Sequence, residues 1–288
     1  MADLPEVLEE ADWTEREQAH RRRVERFLAT HPVGADNSHP VWGFLFTYYS
    51  LKPRQLRRWH PGYGVLLSGP QACRYLGRSG YGAHPAGIGV TEDHLRARAD
   101  TVAFIARLLR ATAARPARYS CFGMHEWAMV YRIPSVRHQR VPLRLGAAGT
   151  DAVVESMPLR CSHFDAFRFF SPAARPRNAV QLNREMAPSA EQPGCLHAAM
   201  DLYKWCYKLG PLLHSRLLMD CLELAADARE LDMRASPYDL SGFGFPAIPV
   251  EEPAGRAEYA RSQHEIARRA APLYAALAEE CGQLTALS

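Results

Sequence analysis

The chain has 288 residues, 47% apolar and 23% charged, enough to bury a sizeable core in one large or two small domains; a disulfide mini-protein and a disordered chain are excluded. It contains no run of 18 apolar residues and no basic-then-apolar leader, so neither a membrane span nor a secretory signal is predicted and a cytoplasmic location is expected. The net charge of +4 permits a nucleic-acid partner without requiring one, since of 35 basic residues only Lys52, Lys204 and Lys208 are lysines.

Asp12 with Glu15 three residues on has a capping-box pattern, and the polar, arginine-rich stretch 13–29 predicts an exposed helix covering the core, within an N-terminal cover over 1–38. The aromatic run 41–49 predicts a short buried helix stopped by Pro53. Between 62 and 90 the glycines and prolines predict an irregular ordered loop with one short strand at 65–67. Thr91 opens a long amphipathic helix whose apolar face is Val102, Ile105, Leu108 and Leu109, and a second helix follows at 121–132. A short strand at 142–145 and a helix at 150–157 come next, while 161–170 fits either period. Helices at 195–209 and 212–233 are separated by Gly210-Pro211, and a final helix occupies 252–288. The expected fold is mainly α: one compact multi-helix domain over 1–288 with a few short strands and long ordered loops. The seven cysteines are odd in number and contain no Cys-x-x-Cys, which argues for reduced residues rather than disulfides or a zinc knuckle.

Three clusters carry candidate chemistry. On a helix His197, Asp201, Lys204 and Lys208 form one polar stripe among aromatic neighbours, read either as a solvated face or as a pocket lining. In Met124-His125-Glu126-Trp127 the carboxylate has little exposed surface available, so it needs a cation, a metal or a proton. In the segment around His163 and Asp165 the two share a face only if the segment is a strand. Together His125, Glu126, His163, Asp165, His197 and Asp201 supply the ligand types of a non-haem iron site, although no His-Glu-x-x-His spacing marks one. Such an enzyme would act oxidatively on a small molecule. Arg57-Arg58-Trp59 combines guanidinium groups with an indole, a pairing suited to phosphates and bases. Asp232 is expected to cap the helix or pair with Arg234, and Asp239, on a loop, is a candidate for orienting water.

The strings Phe44-Leu45-Phe46-Thr47-Tyr48-Tyr49, Arg57-Arg58-Trp59-His60-Pro61-Gly62, Phe122-Gly123-Met124-His125-Glu126-Trp127, the run from Ser162 to Phe170, His197 to Trp205 and Asp232 to Leu240 resemble a bacterial family commonly labelled 3-methyladenine DNA glycosylase. The resemblance spans roughly residues 39 to 240 and implies a DNA partner, no cofactor, and excision of an alkylated base by carboxylate-assisted hydrolysis. On that reading Trp59, Trp127, Tyr203 or Trp205 stacks on the base. Asp201 or Asp165 activates water, with Glu126 and His197 as further catalytic candidates, and Arg57, Arg58, Lys204 and Lys208 hold phosphates.

Overall fold

Apolar side chains at helical spacing run through the second half of the chain. In the computed structural model, which describes residues 5–33, 38–133 and 141–287, they form the centre of a mainly α fold. In chain order the elements are β1 (Glu6–Leu8), α1 (Glu10–Thr30), α2 (Gly43–Thr47), α3 (Pro53–Leu56), β2 (Val65–Leu67), β3 (Tyr81–His84), β4 (Gly87–Val90), α4 (Glu92–Arg96) and α5 (Ala99–Ala113). They continue with α6 (Met124–Val130), α7 (Gly146–Ser156), α8 (Phe164–Phe167), α9 (Ala187–Ala190), α10 (Leu196–Leu209), α11 (Ser215–Arg234) and α12 (Pro253–Leu287). No helix among the described residues is long and apolar enough to cross a membrane.

Helices α10, α11 and α12 pack on one another, and α5 lies against α12. Eleven of the 14 residues of α10 are buried, so this helix has almost no solvent face and its polar residues end up in the core. It stops at Gly210, whose φ of 58° is the left-handed geometry that glycine adopts without strain. Pro211 follows, and the His214 side chain then accepts the Leu217 N–H (3.2 Å) to start α11. Entry to α6 needs left-handed backbone at Phe122 (49°) and Gly123 (69°). A Cβ at Gly123 would come within 3.3 Å of Ala235 Cβ, so glycine lets α6 press against the end of α11.

Several expectations from sequence are corrected. Helix α1 starts at Glu10, with Glu9 rather than Asp12 before it, and β1 precedes it. It is no mere cover: Trp13, Glu17, His20, Val24 and Phe27 are buried, and Arg23 clamps Asp220 and Glu223 of α11. Residues 1–4 and 34–37 of the expected cover lie outside the described residues. The glycine-rich stretch holds three strands, and with β1 they make a sheet ordered β1-β2-β4-β3. In it β1 runs parallel to β2 (Val7 opposite Leu66), and β4 runs antiparallel to β2 and β3. The helix opened by Thr91 is broken into α4 and α5 at Arg98, which leaves helical geometry (φ −112°, ψ 2°). The strand expected at 142–145 is a single bridge, Leu143 with Tyr238.

Candidate functional site

Three apolar elements and one turn bring the candidate residues together. Helix α6 supplies His125 and Glu126, α10 supplies His197, Asp201 and Lys204, α11 supplies Arg229 and Asp232, and the turn entering α8 supplies His163 and Asp165. The three histidines converge. The His197 ring is edge-on to His125 at 4.4 Å between centroids and tilted toward His163 at 5.4 Å. The segment is a short helix, Phe164–Phe167, with His163 at its N-cap, and the two polar groups reach the site from positions two residues apart in its first turn.

One half of the site is built on Asp232, which is wholly buried. Its Oδ1 lies 2.8 Å from His125 Nε2, while its Oδ2 accepts from Arg229 Nη1 (3.1 Å), which also donates to Glu126 Oε1 (2.8 Å). The Oδ1–Nε2 contact is an ion pair in distance but not aligned as a hydrogen bond, and neither atom has another hydrogen-bond partner. Burial opposes charge on His125, yet Asp232 overrides it and raises the imidazole pKa well above its usual value. Burial, reinforced by His125, drives His197 well below its usual value, so its ring is neutral. Its nitrogens make no hydrogen bond among the described residues. One donor atom each of His125, His197 and Asp232 lie within 4.8 Å of one another, all three residues buried. A metal ion with bonds of about 2.1 Å fits such a set after small side-chain shifts.

The other half is a charge cluster. Lys204 Nζ bonds both Asp201 Oδ2 and Asp165 Oδ2, the latter at 3.1 Å, and His163 Nε2 lies 3.2 Å from Asp201 Oδ2 and 3.7 Å from Glu191 Oε1. Tyr49 donates to Asp201 Oδ1 (3.2 Å). Burial alone raises a carboxyl pKa, but Lys204 and His163 hold Asp201 far below the carboxylate range. Lys204 is held charged by the same pairing, well above its ordinary value. That pairing fits structure better than nucleophilic chemistry at Nζ.

Two cavities meet at His197. One of about 570 Å³ is lined by Arg118, Arg160, His125, His197 and Gln263 among others. The other, about 680 Å³, is lined by Phe44, Tyr48, Asp165, Arg168, Phe169 and His197 among others, with Glu126 and Arg229 on its wall.

The remaining sequence candidates fall elsewhere. Trp127 is fully buried and its indole N–H donates to Ala235 O (2.9 Å); Tyr203 is fully buried edge-on to Tyr49; Trp59 is 6% exposed. None of the three lines either cavity, because core packing covers their faces. Trp205 is partly buried under Lys204, whose Nζ lies 4.2 Å from its ring, and it lines a separate cavity with Asp165 and Lys204. Arg57, Arg58 and Lys208 are exposed, so the α10 stripe is buried at its first three members and solvated only at the fourth. Asp239 is exposed and bonded to Ser241, away from the site. Asp232 does not pair with Arg234, whose guanidinium reaches Glu230 and Glu258 instead. Glu126 is paired with Arg229 and stands outside the three-ligand set. Sequence reasoning missed Arg229, Glu191 and Tyr49. A signal for the first was present: Arg229 and Asp232 are one helical turn apart among Ala225, Ala226, Ala228 and Leu231, where no solvated face exists for them.

No protein-family model matches the chain, and no curated protein or solved structure matches it either.

Proposed function

We propose that the protein is a metal-dependent enzyme acting on a small molecule, with His125, His197 and Asp232 as ligands of a mononuclear transition-metal ion such as iron. The observation that carries this is the buried His125 Nε2–Asp232 Oδ1 ion pair at 2.8 Å, whose two atoms have no other polar partner, with the neutral His197 ring edge-on beside it. Two imidazoles and one carboxylate are the ligand set that suits non-haem iron and leaves coordination positions open. A bound ion would supply Lewis acidity and, for iron, redox chemistry. The chain's own residues prepare the site. Arg229 occupies Asp232 Oδ2 and leaves Oδ1 facing the histidines. Cys121 Sγ lies 3.8 Å from His125 Nδ1, which reserves Nε2 for the site. The 570 Å³ cavity opens onto both imidazoles, a size within the range of small-molecule sites.

The test is direct. Purified protein, stripped and titrated with Co²⁺, should take up one equivalent with visible absorption from a low-symmetry site, and His125→Ala and His197→Ala should each abolish it. Absence of saturable uptake by the folded wild type sinks the reading.

Base excision from DNA, implied by the sequence resemblance, is a second reading favoured by the 680 Å³ cavity. There Phe44 and Tyr48, stacked at 4.8 Å, and Phe169 supply aromatic faces beside the Asp165 carboxylate and Arg168. Of the two carboxylates that reading uses to activate water, Asp165 lines this cavity and Asp201 does not. It predicts release of alkylated bases from treated DNA that survives chelator and is lost in Asp165→Asn. Base release lost with chelator, or none at all, excludes it.

A further inference from the structure

Among the described residues, the 570 Å³ cavity is lined by three arginines and two histidines and by no aspartate or glutamate. In a chain with 31 acidic residues, a described lining that carries guanidinium groups and no carboxylate suits an anion. Of the three arginines, Arg115 is committed to the fold, donating to the carbonyls of Ala111, Pro188 and Glu191. Arg118 and Arg160 are exposed, and neither guanidinium makes an ion pair or hydrogen bond among the described residues.

Their backbones, by contrast, are fixed. The buried side chain of Gln192 accepts from Arg118 N (2.8 Å) and donates to Arg118 O (3.2 Å). Gly194 then packs so closely on the same residue that a Cβ there would lie 2.8 Å from Arg118 O. Beside Arg160, the buried side chain of Asn178 accepts from Cys161 N (2.8 Å) and donates to Cys161 O (3.0 Å). Two free guanidinium groups thus project from anchored backbone at the rim of one cavity, an arrangement suited to planar or tetrahedral oxyanions.

A second and independent observation lies deeper. Gln263, 1% exposed, lines the same cavity, and its Oε1 has no hydrogen-bond partner. The amide orientation is set by chemistry, because Nε2 donates to Gly194 O (2.6 Å), a carbonyl that can only accept. The buried acceptor is therefore left for a donor carried by a ligand. The rest of the lining includes Val180, Leu182, Met186 and Leu196, which suits an apolar body.

We propose that this cavity binds a small organic oxyanion, a carboxylate or phosphate ester on an apolar body, with Arg118 and Arg160 holding the anion and Gln263 Oε1 accepting from a hydroxyl or amino group. The proposal deepens the metalloenzyme reading by naming its substrate class, but its test is independent of metal. Phenylacetate, phenyl phosphate, 4-hydroxyphenylacetate and the neutral phenylacetamide are titrated against the full chain by calorimetry, both metal-free and Co²⁺-loaded.

The expected result is that at least one anion binds at least tenfold more tightly than phenylacetamide, and that the double variant Arg118→Gln, Arg160→Gln abolishes this preference. The relative affinities of phenylacetate and phenyl phosphate identify the oxyanion. The 4-hydroxyl should improve binding of phenylacetate severalfold in wild type and not in Gln263→Leu. The idea is overturned by equal binding of acid and amide, by an anion preference that survives the double variant, by no binding of any probe, or by a single-stranded oligonucleotide that needs the two arginines while the small anions do not bind. Arginine-dependent anion binding by protein that takes up no Co²⁺ supports this proposal and removes only the metal reading.

Discussion

Replacing Asp232 by asparagine separates a metal ligand from a structural ion pair. In the metal-free protein the carboxylate faces two buried cations, His125 at 2.8 Å and Arg229 at 3.1 Å. Removing one member of a buried pair costs about 3–5 kcal/mol. The loss here should be near the lower end, about 3 kcal/mol, because His125 can shed its proton and Glu126 still faces Arg229 at 2.8 Å. The new amide would also donate to His125 Nε2 and occupy the lone pair a metal needs. Wild type with Co²⁺ at a hundredfold excess over Kd gains about 2.7 kcal/mol, or roughly 4–5 °C in midpoint for a chain of this size. Asp232→Asn should gain nothing. The control is Glu126→Gln, which weakens the same Arg229 cluster at similar cost but leaves all three ligands in place, so its Co²⁺-dependent shift should persist. The assay is thermal denaturation with metal and with chelator, paired with bound-metal analysis. A Co²⁺ shift retained in Asp232→Asn, or lost equally in both variants, refutes the assignment of Asp232 as a ligand.

The pKa of His60, whose Nδ1 lies 2.9 Å from the Tyr81 hydroxyl, is lowered to about 3, chiefly by burial. The unfolded chain then binds the extra proton first, so this contribution is complete above pH 6.5 and is lost as pH falls toward 3, by at most ~1.4 kcal/mol per pH unit. Urea denaturation at pH 7 and pH 4.5 should show a smaller acid loss in His60→Asn than in wild type; equal losses count against it. Lys204→Met leaves Asp201 and Asp165 without their shared cation and should cost about 3–5 kcal/mol in chemical denaturation, with a cost below 1 kcal/mol showing that the charges are solvated. Gly255→Ala places a methyl 2.0 Å from the Pro249 carbonyl oxygen and should cost about 1–3 kcal/mol by overpacking at the start of α12, whereas an unchanged midpoint would mean that the loop before α12 yields freely.

The helices were legible where period and burial agree. In α10 the polar residues recur at 197, 201 and 204 while almost everything between them is apolar, and in α5 the apolar face repeats from Val102 to Leu109. Of the sheet only β2, at Val65–Leu67, was legible; the other strands were not, for a reason β3 and β4 themselves show. Gly82 and Gly89 face each other across β3 and β4, and a Cβ at Gly89 would lie 2.8 Å from the Val65 carbonyl oxygen. Close backbone approach demands glycine there, which erases the alternation that marks a strand and reads as a loop. The break between α4 and α5 has no proline or glycine to announce it.

The same contrast holds at the site. Polar residues on apolar segments had to find buried partners, and His125 and His163 found them in Asp232 and Asp201, which brings both rings against His197. The carboxylate was assigned to the wrong neighbour because Arg234 lies close to Asp232 in sequence, while the helix turn puts Arg229 beside it and turns both inward. The two clusters that result are built alike: Arg229 joins Glu126 to Asp232, and Lys204 joins Asp165 to Asp201. Each sets two acidic groups against one fixed cation, and in each a histidine stands against the second carboxylate, His125 on Asp232 and His163 on Asp201. Only the first of these histidines has a neutral imidazole edge-on to it, which is why the metal proposed above is placed there and not at His163. On the metal reading proton and metal would compete for His125 Nε2, because the same buried Asp232 Oδ1 that raises the His125 pKa would be the ligand beside it.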